Sequence, residues 1–346
     1  MSLDRGLQRV WYGPKWLALP LLPLAWIFGA LIALRGLLYR VGLFQRRGVD
    51  VPVIVVGNIT VGGTGKTPVA AWIARQLKLR GRRAGVVLRG YGGSHRGAPR
   101  RVVSSDNPAI VGDEALLHLH RGAEIVVIGG DRVAAAELAR REGAEVIVCD
   151  DGLQHLRLER DVEIAVVDGT RGLGNGWLLP AGPLREPATR LESVHAIVQT
   201  ERGEPTRPLE ARGPLHVTAR MQLGEAVRLI SGERRPLESF AATDGLHAVA
   251  AVGNPEAFFA ALRAAGLQVT SHALRDHAVL DGERLPFPRQ ATVLMTEKDA
   301  VKCRVISQPD WWWVDLELSF DRTDSAALLT SILERTGLTG AGAPIG

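Results

Sequence analysis

The stretch 58-NITVGGTGKTP-68 carries the residue types of a phosphate-binding loop. Its glycines permit the bend that points backbone N–H groups at an anion, Lys66 can reach the outer phosphates, and Thr67 offers a hydroxyl to Mg²⁺. The strict pattern G-x-x-x-x-G-K-[ST] requires glycine where this chain has Thr60. The stretch therefore predicts a nucleotide site whose loop begins with a backbone different from that of the strict pattern. The predicted nucleotide-binding residues are Thr60, Val61, Gly62, Gly63, Thr64, Gly65, Lys66 and Thr67.

Carboxylates that could face this loop follow two apolar runs. The run 145-EVIVCDDGLQH-155 places Asp150 and Asp151 where a buried strand would end. Because Mg²⁺ that bridges phosphates takes oxygen ligands, we predict a metal site made of these two carboxylates and Thr67. Asp168 ends the next apolar run and is a weaker instance of the same pattern. A helix cap or a turn is the alternative interpretation of these aspartates.

Phosphoryl transfer to a hydroxyl also needs a carboxylate that orients or deprotonates the acceptor. Asp113 in 112-GDEALLHLH-120 follows a glycine and opens a helical pattern, where the helix dipole favours a negative charge. An ordinary N-cap is the alternative from these residues alone. His277 in 275-RDHAVL-280 is isolated in a loop-like setting, which by itself favours a structural role.

Strands that alternate with helices are predicted to position these residues. The predicted strands are 53–58, 84–90, 124–130, 145–151, 162–169 and 194–200, with helices over 68–81 and 132–143 between some of them. This alternation predicts a parallel sheet with helices on both faces. The fold class is therefore α/β, with a P-loop NTPase-like sheet domain.

The chain of 346 residues exceeds one average domain, so a second, smaller α/β domain is expected. A stretch rich in proline, glycine and charge is predicted to be a linker. Beyond it, strands are predicted at 247–254, 267–272, 292–296 and 311–319, and helices at 255–266 and 323–337. The predicted divisions are an anchor (1–48), a P-loop domain (49–200), the linker (201–214), the smaller domain (215–320) and a C-terminal helix and tail (321–346).

The N-terminus is predicted to attach the protein to a membrane. Residues 16–34 carry no charge, and residues 1–50 hold seven basic and two acidic residues, which equals the whole net charge of +5. Such a basic and apolar end argues against nucleic-acid binding, which needs a basic face. The segment 16–34 is long enough to span a bilayer, whereas 31–44 fits a helix lying in the interface. If it spans, the following arginines place the remaining chain in the cytoplasm.

Taken together, the motifs resemble those of the tetraacyldisaccharide 4′-kinases, the lipid A 4′-kinases of outer-membrane-bearing bacteria. The ordered set is specific, whereas G-G-T-G-K-T alone occurs in many NTPases. The matching segments are 55-VVGNITVGGTGKTPV-69, 88-LRGYGG-93, 112-GDEA-115, 149-CDDGLQH-155, 174-GNGWLLPAGPLRE-186, 276-DH-277 and 295-MTEKDAVKC-303. The family loop also lacks the first glycine, so Thr60 is this family's version of it.

The resemblance implies transfer of the γ-phosphate of ATP, with Mg²⁺, to the 4′-hydroxyl of a tetraacyldisaccharide 1-phosphate at the cytoplasmic face of the inner membrane. It implies that Asp113 acts as base with His277 as its partner, that Lys66 is catalytic, and that Arg132 lies near the phosphates. Substrate contacts are implied for Arg89, Tyr91, Asn175, Arg185 and Glu186. Lys298 and Asp299 fall in a family motif, with structural and functional roles both open.

Two departures and two alternatives qualify the resemblance. Ala278 stands where many members have a second histidine, and 250-AAVGNP-255 has alanine at a position where the family tends to have glycine. One alternative is a membrane-attached P-loop ATPase that energises positioning or transport. The other is a cytosolic small-molecule kinase whose N-terminus is a buried helix.

The expected partners are the lipid substrate and the membrane surface, and no obligate protein partner is expected.

Overall fold

A computed structural model describes residues 3–203, 209, 212–274, 286–288, 290–303 and 310–338. The α-helices are α1 (Leu3–Tyr12), α2 (Leu22–Arg40), α3 (Lys66–Leu79), α4 (Pro108–Val111), α5 (Asp113–His120), α6 (Arg132–Arg141), α7 (Pro255–Ala264), α8 (Glu297–Cys303) and α9 (Arg322–Thr336). The strands are β1 (Val53–Gly57), β2 (Ala84–Leu88), β3 (Arg100–Arg101), β4 (Ile125–Ile128), β5 (Val146–Asp150), β6 (Val162–Asp168), β7 (Ala196–Glu201), β8 (Leu215–Arg228), β9 (Arg234–Arg235), β10 (His247–Ala250), β11 (Thr270–Ala273), β12 (Val293–Thr296) and β13 (Trp311–Phe320).

All of these strands belong to one sheet. The strand order is β11-β10-β12-β13-β8-β7-β6-β1-β5-β2-β4-β3, with β9 paired to β8. Strands β7, β6, β1, β5, β2 and β4 run parallel to one another. Strands β1, β5 and β6 are buried throughout, which fits a parallel sheet covered on both faces. The predicted α/β fold class is confirmed.

Helices cover both faces of this parallel region. On one face α3, α5 and α9 pack on the sheet through apolar residues such as Ile73, Leu116 and Ile332. On the other face α6 packs through its alanines beside the apolar loop residues Leu153 and Leu184. The carboxyl ends of β1 and β5 thus lie between two packed layers, and the loops that follow them form the site.

Strand β8 connects the two halves of the chain. It pairs parallel with β7 on one side and antiparallel with β13 on the other, so backbone hydrogen bonds continue across the predicted domain boundary. The predicted linker 201–214 begins inside β7, at Glu201, and part of it lies outside the described residues. The division into domains remains a prediction.

The N-terminal segment lies against the body of the protein. Pro20 falls in a 3-10 helix over Lys15–Leu21, and Pro23 lies in the first turn of α2, where its missing N–H costs no intrahelical hydrogen bond. The region Lys15–Arg40 is long and apolar enough to cross a membrane, with a mean hydropathy of 2.3, by length and composition. Most of its large apolar side chains are exposed: Trp16, Leu19, Leu24, Trp26, Ile27, Leu31, Leu34 and Leu37.

One face of this segment is made of small residues that contact the body. Ala18 and Ala25 are buried in a cluster with Ala181. A Cβ added at Gly29 would lie 2.9 Å from Leu178 Cδ1, so the backbone of α2 approaches the body closely there. At the far end, Arg35 donates to the carbonyl of Gln154. Helix α2 is therefore attached near its start, its middle and its end.

Candidate active site

The phosphate-binding loop begins with strand-like pairing rather than with a free glycine turn. Thr60 forms an antiparallel bridge with Leu184, and the Val61 N–H donates to the carbonyl of Pro183 at 2.8 Å. This extended backbone suits a β-branched residue and gives no reason for glycine at position 60. The segment 174–186 therefore explains why the loop departs from the strict pattern.

Inside the loop a glycine is required. Gly65 has φ of 89°, and a Cβ there would lie 2.8 Å from Met221 Sδ. The Thr200 hydroxyl donates to the Thr64 carbonyl at 2.9 Å and supports the loop from β7. The loop therefore leads directly into α3, and the N–H groups of the first helical turn are available to an anion.

Lys66 is the first residue of α3 and lies among carboxylates. Burial alone would lower the pKa of Lys66, but the negative charges of Asp151, Glu114 and Asp150 outweigh it, and the pKa is raised. The side chain is therefore a fixed positive charge at neutral pH. Such a charge next to a glycine-rich loop is suited to the outer phosphates of a nucleotide.

Asp150 ends β5 beside the loop and is almost completely buried. Its Oδ2 accepts a hydrogen bond from His118 Nε2 at 3.0 Å. Burial would raise the pKa of Asp150, but the His118 hydrogen bond and charge, with the charge of Lys66 and the hydroxyl of Thr67, lower it. The group is thus a carboxylate adjacent to the Thr67 hydroxyl, as the predicted metal site requires.

Asp151 adopts an uncommon backbone conformation. Its φ is +54°, and among the described residues no other non-glycine residue has a positive φ. This conformation costs of order 1 kcal/mol and is typically retained at functional sites. It places the side chain toward Arg185, whose Nη1 lies 3.3 Å from Asp151 Oδ1.

Unpartnered polar atoms around the loop fit a nucleotide with its metal. Within the described part of the chain these buried atoms have no hydrogen-bond partner: Asn58 Oδ1, Thr64 Oγ1, Arg132 Nε and Asp150 Oδ1. The described residues contain no group of three or more His, Cys, Asp or Glu that could hold a metal by themselves. Mg²⁺ that is shared with phosphates needs only one or two carboxylates, so the residues present suit it.

Asp113 opens α5 and is held there by a close backbone approach. Gly112 has φ of 86°, and a Cβ on it would lie 2.5 Å from the carbonyl oxygen of Tyr91. The Asp113 carboxylate is buried, with Lys302 Nζ at 3.4 Å and Lys298 Nζ at 3.7 Å. It lies behind the wall of the cleft, which Glu114 and Lys298 form at this point.

Helix α8 brings the motif 295–303 to α5. Lys302 also pairs with Asp299 at 2.9 Å, and Asp299 Oδ2 accepts from the Ala251 N–H at 3.0 Å. Glu297 pairs with Arg121, the residue that caps the C-terminus of α5, at 2.5 Å. The motif therefore connects the second half of the chain to the helix that carries Asp113.

Four of the remaining predicted residues line the same cleft as the loop. These are Arg89, Tyr91, Arg132 and Arg185. Arg132 is buried and donates to the carbonyl of Gly129, whereas Tyr91 is 63% exposed. Asp168 also lines the cleft, with Arg202 at 3.8 Å.

Two predicted substrate contacts lie elsewhere. The Asn175 side chain donates to the carbonyls of Ala181 at 2.8 Å and Val10 at 3.2 Å, which fixes α1 to the loop. Glu186 accepts from Gln154 at 2.6 Å. Neither Asn175 nor Glu186 lines the cleft, and their hydrogen bonds give each a local structural role. His277 lies outside the described residues.

The cleft has a volume of about 1590 Å³. Its lining includes the phosphate-binding loop and apolar residues of the second half such as Phe258 and Val314. Arg35 and Tyr39, from the last turns of α2, also line it. The apolar N-terminal helix thus reaches the space into which the loop opens.

Sequence reasoning missed three residues of this site: Glu114, His118 and Lys302. Glu114 and His118 are four residues apart on α5, so they share a helix face with each other. Lys302 follows Asp299 by three residues, which on a helix predicts an ion pair. Helical spacing could have indicated both relationships, but their partners Lys66, Asp150 and Asp113 come from distant parts of the chain.

A family model described as tetraacyldisaccharide-1-P 4′-kinase, LpxK, matches residues 17–334. The chain belongs to this family. The resemblance found in the sequence motifs is confirmed, and with it the function class, a kinase of the phosphotransferase type.

Curated LpxK relatives cover almost the whole chain. The tetraacyldisaccharide 4′-kinase of Alkalilimnicola ehrlichii is 44% identical over 94% of this chain and 96% of its own. That of Thiobacillus denitrificans is 46% identical over 90% and 94%, and that of Pseudomonas aeruginosa is 43% identical over 92% and 94%.

The LpxK fold is also found in a solved relative. The crystal structure of the "apo" form of LpxK from Aquifex aeolicus in complex with ATP superimposes with a TM-score of 0.78 at 26% identity. It covers 92% of this chain and 99% of that one. That LpxK binds ATP, which agrees with the nucleotide site predicted at the loop.

Proposed function

We propose that the enzyme transfers the γ-phosphate of MgATP to the 4′-hydroxyl of a tetraacyldisaccharide 1-phosphate held at the cytoplasmic face of the inner membrane. One observation carries this proposal: the phosphate-binding loop, Asp150 with Asp151, and the end of the apolar helix α2 all border a single cleft. A kinase for a membrane-resident alcohol needs these three features in one place.

The loop and its neighbours bind the nucleotide. Backbone N–H groups at the start of α3 and the Lys66 ammonium would bind the phosphates, and Thr67, Asp150 and Asp151 would hold Mg²⁺. Such an ion would supply positive charge that offsets the negative charge of the bound phosphates. Arg132 contributes a further buried positive charge beside them.

The acceptor hydroxyl is deprotonated by Asp113, with His277 as its partner. In the structure Asp113 is paired with Lys302 and Lys298 behind the wall of the cleft. Lys298 is the more exposed of the two lysines, so its displacement by substrate would open a path from the cleft to Asp113. Arg89, Tyr91 and Arg185 line the cleft and are the proposed substrate contacts.

Helix α2 lies in the membrane interface rather than across the bilayer. Since it contacts the body near its start, middle and end, it cannot cross the membrane while these contacts persist. Its exposed apolar side chains enter the lipid instead. In this arrangement the acyl chains of the substrate stay in the membrane. Their transfer to water would cost about 0.8 kcal/mol per methylene.

The test is the fate of labelled phosphate. Enzyme, Mg²⁺ and γ-labelled ATP are incubated with vesicles that contain or lack tetraacyldisaccharide 1-phosphate. The proposal predicts label in the lipid fraction only when the vesicles contain tetraacyldisaccharide 1-phosphate. It predicts little free phosphate with either kind of vesicle. Rapid release of free phosphate without lipid labelling would instead indicate the membrane-attached ATPase.

A second experiment tests the membrane part of the proposal. Removal of residues 1–45 deletes α2 and the contacts that Arg35 makes. We expect loss from the membrane fraction and loss of activity on vesicle-embedded acceptor. Full activity on micellar acceptor with unchanged membrane recovery would favour a cytosolic small-molecule kinase.

A further inference from the structure

Helix α5 carries a buried histidine that the proposed mechanism does not use. His118 is fully buried, and its Nε2 donates to Asp150 Oδ2 at 3.0 Å. It follows Glu114 by four residues, so both side chains point from one face of α5 toward the loop region. Glu114 lines the cleft and its charge acts on Lys66. Helix α5 therefore approaches the nucleotide site at two points.

Packing alone does not account for a histidine at this position. Its Nδ1 is buried and has no hydrogen-bond partner within the described part of the chain. An unpartnered buried polar atom destabilises the fold, and an apolar residue of similar size would avoid that loss. What a histidine provides here, and an apolar residue would not, is the hydrogen bond to Asp150.

The geometry points to His118 as a positioning residue for the metal-side carboxylate. We propose that His118 fixes one oxygen of Asp150 and so orients the other, Oδ1, as a ligand for the Mg²⁺ of bound MgATP. Asp150 Oδ1 is buried and has no hydrogen-bond partner among the described residues, and the Thr67 hydroxyl lies beside the carboxylate. The inference rests on the proposed MgATP site.

Hydrogen bonds to ligating carboxylates commonly affect metal affinity. Without its partner, a carboxylate can rotate and must be ordered when the metal binds. Loss of such outer partners typically lowers metal affinity or activity about 10- to 100-fold. The expected consequence is a weaker contribution of Mg²⁺ to nucleotide binding, with nucleotide binding in the absence of Mg²⁺ unchanged.

The experiment measures the affinity for a non-hydrolysable ATP analogue by calorimetry, with saturating Mg²⁺ and with EDTA. The ratio of the two dissociation constants gives the coupling between metal and nucleotide. His118→Leu removes the hydrogen bond, and His118→Gln retains a side-chain N–H donor. His120→Leu, two residues further along α5 and packed on Trp313, is the matched control.

We expect the Mg²⁺-dependent gain in affinity to fall about tenfold or more in His118→Leu. His118→Gln should recover most of it, and His120→Leu should equal the wild type. If leucine prevents folding, His118→Met serves as the apolar variant. An unchanged gain in the apolar variant, or an equal loss with glutamine, would overturn the proposal. Because no lipid is present, the outcome is independent of whether the lipid is the phosphate acceptor.

Discussion

The ammonium of Lys302 lies 3.4 Å from the carboxylate of Asp113, and both side chains are almost completely buried. Lys302 belongs to α8 in the second half of the chain, whereas Asp113 opens α5 in the first. The same ammonium also lies 2.9 Å from Asp299, so one lysine is shared by two buried carboxylates. The position of the proposed base therefore depends on how the two halves pack.

Replacement of Lys302 by methionine should strongly destabilise the protein. It leaves Asp113 and Asp299 buried without their shared cation, and breaking such a pair costs about 3–5 kcal/mol. Lys298→Met is the matched control, because Lys298 is more exposed and lies 3.7 Å from Asp113. We expect a loss below about 1 kcal/mol there. Denaturant unfolding in detergent measures the free energy of unfolding of both variants. Equal, small losses of stability in the two would contradict the ion-pair interpretation.

Replacement of Asp113 by asparagine should affect chemistry rather than nucleotide binding. A general base contributes about 10²- to 10⁴-fold, so kcat should fall by that factor while affinity for MgATP stays within a few-fold. Glu124→Gln, which breaks an exposed ion pair with Lys78, is the control and should resemble the wild type. A kcat for Asp113→Asn within threefold of the wild type would exclude Asp113 as the base.

Stability at acid pH should depend on His155. Burial, followed by the positive charge of Arg132, lowers the pKa of His155 to about 4. As pH falls from about 6.5, the unfolded state binds this proton first, so the folded state loses stability down to about pH 4.

For His155 the loss between pH 7.5 and pH 5 is about 2 kcal/mol. His155→Gln lacks this titration and should lose about that much less over the same interval. Urea unfolding at the two pH values measures the difference. Parallel losses in the two proteins would show that His155 titrates normally.

The exposed face of α2 should determine membrane binding. Trp26→Glu with Leu31→Glu removes two exposed apolar side chains, each worth about 1.5–3 kcal/mol when buried in lipid. We expect loss of vesicle flotation with the fold retained. Leu79→Glu changes a comparably exposed leucine on α3 and should float like the wild type. Equal flotation of both variants would place the membrane contact elsewhere.

The sequence predicted the parts of the fold that local patterns specify. Strands β1 and β5 follow from short apolar runs, α3 from helical spacing after the loop, and Asp113 does open a helix. Strand β8 was missed because a proline- and glycine-rich stretch precedes it. Its alternation of inward Val217, Ala219 and Met221 is visible in the sequence once β8 is known.

Pairings between distant segments could not be predicted from the sequence. Thr60 was explained by resemblance alone, whereas its bridge to Leu184 gives the physical reason. Asn175 was expected at the substrate, but its side chain fixes α1. Such roles depend on which distant segments come into contact after folding, and the residue pattern within one segment does not predict those contacts.

The central claim is that one cleft joins the phosphate-binding loop to a lipid alcohol at the membrane surface. The most direct measurement is ³¹P NMR of the lipid product formed from MgATP and vesicle-embedded tetraacyldisaccharide 1-phosphate. We predict a new phosphomonoester on the 4′-oxygen with the wild type, and at least a 10²-fold slower appearance with Lys66→Ala. A lipid that keeps its single phosphate while ATP is consumed would contradict the claim.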